Sequence, residues 1–226
     1  MVTVHSLASK LLAEFIGTFF LIAVGVAIIV NGGSLLEVAF AHGLVIAICV
    51  SGVAHVSGAH FNPAVTLALW RGRSIGGQTA LPYVAAQVVG AVLGLTVALV
   101  SFGDQPALST TQGLAWGSVL AEYVGTTVLA LLIVGAIDQG RLSWVPAIVG
   151  GWVTVMVFSS SSTGLLNPAV TIARVFTDTY TGIPAATAPV FISAQLLGAL
   201  TAVYISTRLL IRPNGKEHDA DHAYDR

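Results

Sequence analysis

The few charged residues of this chain are placed so that long stretches carry none. No Asp, Glu, Lys or Arg occurs in 15–36, 38–70, 74–103, 105–121, 123–137, 142–173 or 179–207. A helix of about 20 apolar residues crosses a bilayer, so most of these stretches hold one spanning helix each. Charged residues make up 8% of the chain, against about a quarter in a soluble domain. A water-facing surface cannot be built from that supply, and the chain reads as an all-α membrane protein. Nine Lys and Arg against ten Asp and Glu leave no basic footprint for nucleic acid. The single cysteine, Cys49, excludes an internal disulfide framework and a multi-thiolate metal site. No cofactor is expected.

Two stretches are too long for one span. Residues 38–70 and 142–173 run 33 and 32 residues, about a dozen more than a crossing needs. Each carries Asn-Pro-Ala near its end, at 62–64 and 167–169. Each therefore reads as a full span followed by a half-length helix. Two half-helices of about 10 residues, rising about 15 Å each, meet end to end across the hydrocarbon layer.

The same motifs recur in the same order in the second half. Ala13-Glu14-Phe15-Ile16-Gly17-Thr18 returns as Ala121-Glu122-Tyr123-Val124-Gly125-Thr126, and Gln87-Val88-Val89-Gly90-Ala91 as Gln195-Leu196-Leu197-Gly198-Ala199, both offset by 108. Asn62-Pro63-Ala64-Val65-Thr66 returns as Asn167-Pro168-Ala169-Val170-Thr171, offset by 105. The chain is a duplication. Three spans per half force the second copy to enter from the opposite side, giving an inverted repeat of about 7–103 and 114–211 within one domain, 1–211. A cytoplasmic N-terminus puts Lys10, Arg71, Arg73, Arg141, Arg208, Arg212, Lys216 and Arg226 inside and only Arg174 outside, as the positive-inside rule requires. The first apolar run is too long for a cleaved signal peptide, and its Glu14 belongs to the repeat. The polar segment 212–226 reads as a disordered cytoplasmic tail. His218 and His222 in it could hold a metal, but a solvated tail is the preferred reading.

Asparagine is a preferred helix N-cap and proline suits the first helical position. Asn62 with Pro63-Ala64 and Asn167 with Pro168-Ala169 thus start the half-helices, leaving amide donors to bind the oxygen of a passing molecule. Two helix N-termini, each worth about half a positive charge, repel cations there. Carbonyls of 58–61 and 163–166 supply acceptors along the lumen, since irregular backbone in a membrane must line a cavity or be buried in protein.

Over residues 7–211 the sequence resembles the aquaporin, or major intrinsic protein, family. Both Asn-Pro-Ala motifs, the Ser57-Gly58-Ala59-His60-Phe61 lead-in and the paired Ala-Glu-aromatic motifs carry the resemblance. It implies six spans, two re-entrant half-helices, a pore in each protomer and a homotetramer. It implies that Glu14, Glu122 and His60 brace the re-entrant loops; a proton relay or transport site is the other reading of an intramembrane carboxylate. Gly17, Gly125 and the pairs Gly90/Gly94 and Gly198/Ala202 are expected where helices pack closely.

The family's four-residue selectivity filter, carried over by spacing from the motifs, falls on His42, Val155, Gly164 and Val170. Relatives usually have arginine after the second Asn-Pro-Ala, and Val170 stands there. A filter of these four is wider and less polar than that of a water channel. The run 167–179 resembles a branch encoded with bacterial arsenic-resistance genes, whose members pass neutral metalloid hydroxides. The expected function is a passive channel for arsenite-like hydroxides and polyols such as glycerol, in the inner membrane of a bacterium. A water-selective channel and a secondary transporter built on inverted repeats are the alternatives. The serine run 159–162 suggests an intramembrane hydrolase only weakly, for no nucleophile motif accompanies it.

Two residues stay open. Residues 167, 170 and 174 share one helical stripe, so Arg174 could replace the missing arginine at the outer mouth. The alternative, preferred on sequence, is a surface pair with Asp178 four residues on. His42 could be a filter donor, with pH gating as a variant of that role, or a histidine turned into helix packing.

Overall fold

The computed structural model describes residues 5–111 and 115–210. Eight α-helices follow in order among them: α1 (Leu7–Val30), α2 (Leu35–Ser57), α3 (Pro63–Arg71), α4 (Gly77–Ser101), α5 (Trp116–Asp138), α6 (Val145–Ser159), α7 (Pro168–Arg174) and α8 (Ala188–Ile205). Six segments are long and apolar enough to cross a membrane: α1, α2, α4, α5, α6 with the 3₁₀ turn before it (Leu142–Ser159), and α8 extended to Arg208. The two short helices α3 and α7 begin at Pro63 and Pro168 and end at Arg71 and Arg174. Each overlong stretch is thus one span plus one half-helix. The segment 212–226, with His218 and His222, lies outside the described residues.

Local chemistry sets the ends. Ser34 and Glu37 form a reciprocal capping box at the start of α2, the Ser34 N–H donating to Glu37 Oε2 at 2.7 Å. Gly58 ends α2 at φ 89°, a conformation with no Cβ penalty for glycine. Exposed Trp116, Trp144 and Tyr204 stand near helix ends, where amphipathic rings suit a membrane interface. The outer surface is apolar: Ile48 is 68% and Leu81 77% exposed, as a hydrocarbon solvent permits. Lys10, Arg71, Arg73, Arg141 and Arg208 gather at one end of the bundle and Arg174 lies toward the other, because successive spans alternate in direction.

The duplication is visible in the packing. α1 packs on α4 and α5 on α8 through equivalent glycines. A Cβ on Gly90 would lie 2.6 Å from the Phe15 carbonyl oxygen, and one on Gly198 would lie 2.6 Å from that of Tyr123. Phe15 and Tyr123 are repeat counterparts. Ala202 occupies the position that Gly94 holds in the first half. Gly17 makes room for the Phe61 ring and Gly125 for the Leu166 side chain. Where α2 crosses α6, Gly43 and Gly150 face each other, and a Cβ on either would meet the other's carbonyl oxygen at about 2.5 Å. Without a hydrophobic drive between helices in lipid, such backbone approach supplies the packing.

Because the neighbour at Gly90 and Gly198 is backbone, it cannot swing aside. Gly90→Leu and Gly198→Leu should each lower the thermal stability of the detergent-purified protein by similar amounts, of the order of the 1–3 kcal/mol that overpacking costs. Thermal unfolding of the two variants side by side checks this.

Candidate channel and its constriction

Two buried carboxylates hold the irregular loops before α3 and α7. Glu14 Oε1 accepts from Ser57 Oγ at 2.7 Å and the His60 N–H at 3.0 Å, and Oε2 from the Phe61 N–H and Gln87 Nε2, both at 2.7 Å. Glu122 repeats the pattern: Oε1 accepts from Ser162 Oγ and the Leu165 N–H, Oε2 from the Leu166 N–H at 2.7 Å and Gln195 Nε2 at 2.6 Å. Both glutamates have no exposed surface. Each takes up two loop amides that the bilayer could not satisfy. One member breaks the symmetry: His60 stands where the second half has Leu165. Its Nδ1 lies 3.1 Å from Thr66 Oγ1 and its ring meets Tyr83 edge to face at 5.2 Å.

The loops repeat their backbone as well. Gly58, Ala59 and Phe61 have φ of 89°, 51° and 51°; Thr163, Gly164 and Leu166 have 60°, 61° and 49°. Four of these six are not glycine, and each left-handed non-glycine residue costs about 1–2 kcal/mol, a cost the glutamate bonds offset. This geometry turns the chain so that Asn62 and Asn167 meet. Each Oδ1 caps its own half-helix, accepting from the Ala64 N–H at 2.8 Å and the Ala169 N–H at 3.0 Å. Each amide also donates across the join, Asn62 Nδ2 to the Leu166 carbonyl and Asn167 Nδ2 to the Phe61 carbonyl, both at 2.8 Å. One N–H of each amide, and the carbonyls of 61 and 166, are thereby spent on structure. The second N–H remains for the lumen.

One cavity of about 700 Å³ passes this point, lined from Leu35 and Thr181 at one end to Ile137, Leu142 and Ser143 at the other. Both asparagines line it. Most of its wall is aliphatic, with Ile46, Val50, Val65, Leu129, Val149 and Val157 among the contributors. His42, Gly164 and Val170 line it too. Gly164 does so as bare backbone, for a Cβ there would lie 2.7 Å from the Met156 carbonyl carbon.

Val155 does not line it. That side chain is 49% exposed on the outer face of α6, and the helix instead presents Val145, Val149, Val153 and Val157, spaced by four, to the cavity. Val153, two residues before Val155, is among them and is buried. The surface pair of Arg174 and Asp178 is also replaced. Arg174 is 2% exposed and lines the cavity. Its Nη1 donates to Thr181 Oγ1 and its Nη2 lies 3.3 Å from His42 Nε2. Asp178 instead accepts from the Thr110 N–H at 2.7 Å and from its hydroxyl, which holds the carboxyl below the usual carboxylate range. The guanidinium has no lone pair to offer, so His42 Nε2 accepts, and Nδ1 carries the hydrogen donated to the Val38 carbonyl at 2.8 Å. Gly25 opposite leaves room for the ring. His42 is thus both a cavity residue and a packed one. Arg174 Nε finds no partner among the described residues.

Sequence comparison is decisive here, for the major intrinsic protein family matches residues 1–161 and again 110–223. The chain belongs to that family. It is 34% identical over 217 residues to the aquaglyceroporin AqpS of Rhizobium meliloti (strain 1021), covering 92% of each chain. It is 31% identical over 205 residues to the propanediol uptake facilitator PduF of Citrobacter freundii, covering 76% of each. The X-ray structure of the aquaglyceroporin from Plasmodium falciparum superposes with a TM-score of 0.73 at 21% identity, over 91% of this chain and 97% of that one. The fold is the aquaporin fold, and six spans make this family member an integral membrane protein.

Several working residues lay unassigned in the sequence. Gln87 and Gln195, and Thr66 and Thr171, stand inside the repeated motifs, and Ser57 and Ser162 share the offset of 105. That recurrence was the available signal. Ser162 belongs to the serine run, and its hydroxyl is a glutamate brace. Thr181 had no signal, because it reaches Arg174 across a loop. The carboxylates that a coupled transporter would need are both engaged by four donors. Glu122→Gln should therefore destabilise the protein, because its NH₂ would face donors and orphan buried groups worth about 1–3 kcal/mol each. Glu122→Ala should act in the same direction. Thermal unfolding checks this; unchanged stability with lost flux would indicate a transport role instead.

Proposed function

We propose that the chain is a passive, bidirectional channel for small neutral hydroxylated solutes, polyols such as glycerol and metalloid hydroxides such as arsenous acid, with water also passing. The observation that carries this reading is the placement of charge along the cavity wall. Valine stands at 170, and the cation comes from Arg174, whose Cα lies four residues further along α7, about 6 Å along the axis, with its guanidinium against His42 and Thr181. Gly164, Val170 and Val153 line the cavity, and in this reading they leave its narrow part less polar than an arginine at 170 would. A solute with hydroxyls on one side can exchange water for the asparagine N–H groups and for the carbonyls of 58–60 and 163–165. Its less polar side slides on valine and isoleucine. The relatives described as an aquaglyceroporin and a propanediol uptake facilitator support this class.

In this proposal Arg174 retains the second task of the family arginine. A cation about 6 Å from a guanidinium is opposed by about 3 kcal/mol at an effective dielectric of 20, roughly a hundredfold exclusion. The cation-rich end of the bundle is the cytoplasmic one, with both termini inside, and the assembly is a homotetramer in a bacterial cytoplasmic membrane with one channel per protomer.

Stopped-flow measurement on proteoliposomes tests both parts. Val170→Arg should lower glycerol and arsenite flux several-fold more than water flux. Equal loss for all three, or no solute flux in the wild type, would overturn the reading. Arg174→Ala should raise cation leak while Arg174→Lys keeps it low; an unchanged leak in Arg174→Ala would remove the charge barrier from the proposal.

A further inference from the structure

One pair of metal-ligating side chains stands apart from the constriction. His5 directly precedes Ser6, the N-cap of α1, and His55 lies in the last turn of α2, both at the end of the bundle that carries Arg71 and Arg141. Their ring centroids are 5.7 Å apart with planes at 71°. His55 is exposed and lines the cavity, and His5 is partly exposed. Among the described residues neither ring is tied by a hydrogen bond, unlike His42 and His60, so both keep their nitrogens available.

We infer that His5 and His55 form a two-imidazole site for a borderline divalent ion of the Zn²⁺, Ni²⁺ or Cu²⁺ class at this mouth, and that an ion held there obstructs the channel. The spacing fits. An ion about 2.0–2.1 Å from one nitrogen of each ring lies about 3.2 Å from each centroid, which puts the centroids about 5–6 Å apart at angles from tetrahedral upward. Imidazole suits these ions, whereas Mg²⁺ and Ca²⁺ require oxygen ligands. No third His, Cys, Asp or Glu joins the pair among the described residues. The ion therefore keeps several waters, binds with modest affinity, and projects a hydrated dication from the lining residue His55 into the mouth.

An edge-to-face aromatic contact is the competing role, and phenylalanine separates the two because it keeps the ring contact and removes the ligand. The binding arm is a titration of NiCl₂ and ZnCl₂ into the full chain, purified in detergent without a polyhistidine tag. Wild type should bind one ion per chain in the micromolar range. His5→Phe and His55→Phe should each weaken it by about tenfold or more, and His218→Ala/His222→Ala should leave that site intact. Undiminished affinity in the phenylalanine variants, or loss in the tail variant, would overturn the site.

The flux arm rests on the channel reading proposed above. NiCl₂ on the side of this mouth should reduce glycerol flux at least about twofold in wild type and not in His55→Phe. Binding without a change in flux would overturn the obstruction and leave the site. A wild type that binds the ion but conducts no solute would overturn the channel reading, which the binding arm does not use.

Discussion

The two loops that lead into the half-helices depend on two carboxylates that accept hydrogen bonds inside the bilayer. A loop at membrane depth exposes amides that neither lipid nor helix can satisfy, and each orphan costs about 1–3 kcal/mol. Glu14 and Glu122 gather two loop amides each, together with a serine hydroxyl and a glutamine amide. With those bonds in place the backbone can hold three left-handed residues per loop, and this brings the asparagines to the centre. Their cross-bonds to the Leu166 and Phe61 carbonyls then tie one half of the duplication to the other.

The inverted repeat explains why one solution serves twice. Phe15 and Tyr123, Gly90 and Gly198, Gln87 and Gln195 perform the same contacts in the two halves because the halves run in opposite senses through the same solvent. Departures from this symmetry fall where the halves have different neighbours. His60 replaces the Leu165 of the other half and reaches Thr66 and Tyr83. Arg174 ends its half-helix buried against His42 and Thr181, whereas Arg71, at the end of the first half-helix, is exposed. The scaffold is duplicated and the chemistry of the mouths is not.

Residue 170 is valine, and the cation of the second half-helix stands one helical turn further on, at Arg174. There it stands in the cavity wall, against His42 and Thr181. The His42 ring is held between the Val38 carbonyl and the guanidinium.

Membrane crossing, the duplication, the two half-helices and the asparagine caps were legible in the sequence because they rest on local rules: charge-free length, recurrence of motifs in the same order, and the conformational preferences of Asn and Pro. Glu14 and Glu122 were legible as paired positions, and their role came through resemblance to a family. What spacing misjudged was rotation about a helix and reach across a loop. Val155 and Val153 lie two residues apart, about 200° around α6, so counting from the asparagine across an irregular loop put the wrong valine in the wall. The Arg174–Asp178 pair was plausible at four residues, yet Thr110, distant in sequence, supplies Asp178 with two donors and Thr181 draws Arg174 inward. Packing against other elements settles where a side chain points, because burial and hydrogen-bond partners come from chain segments that sequence distance does not measure.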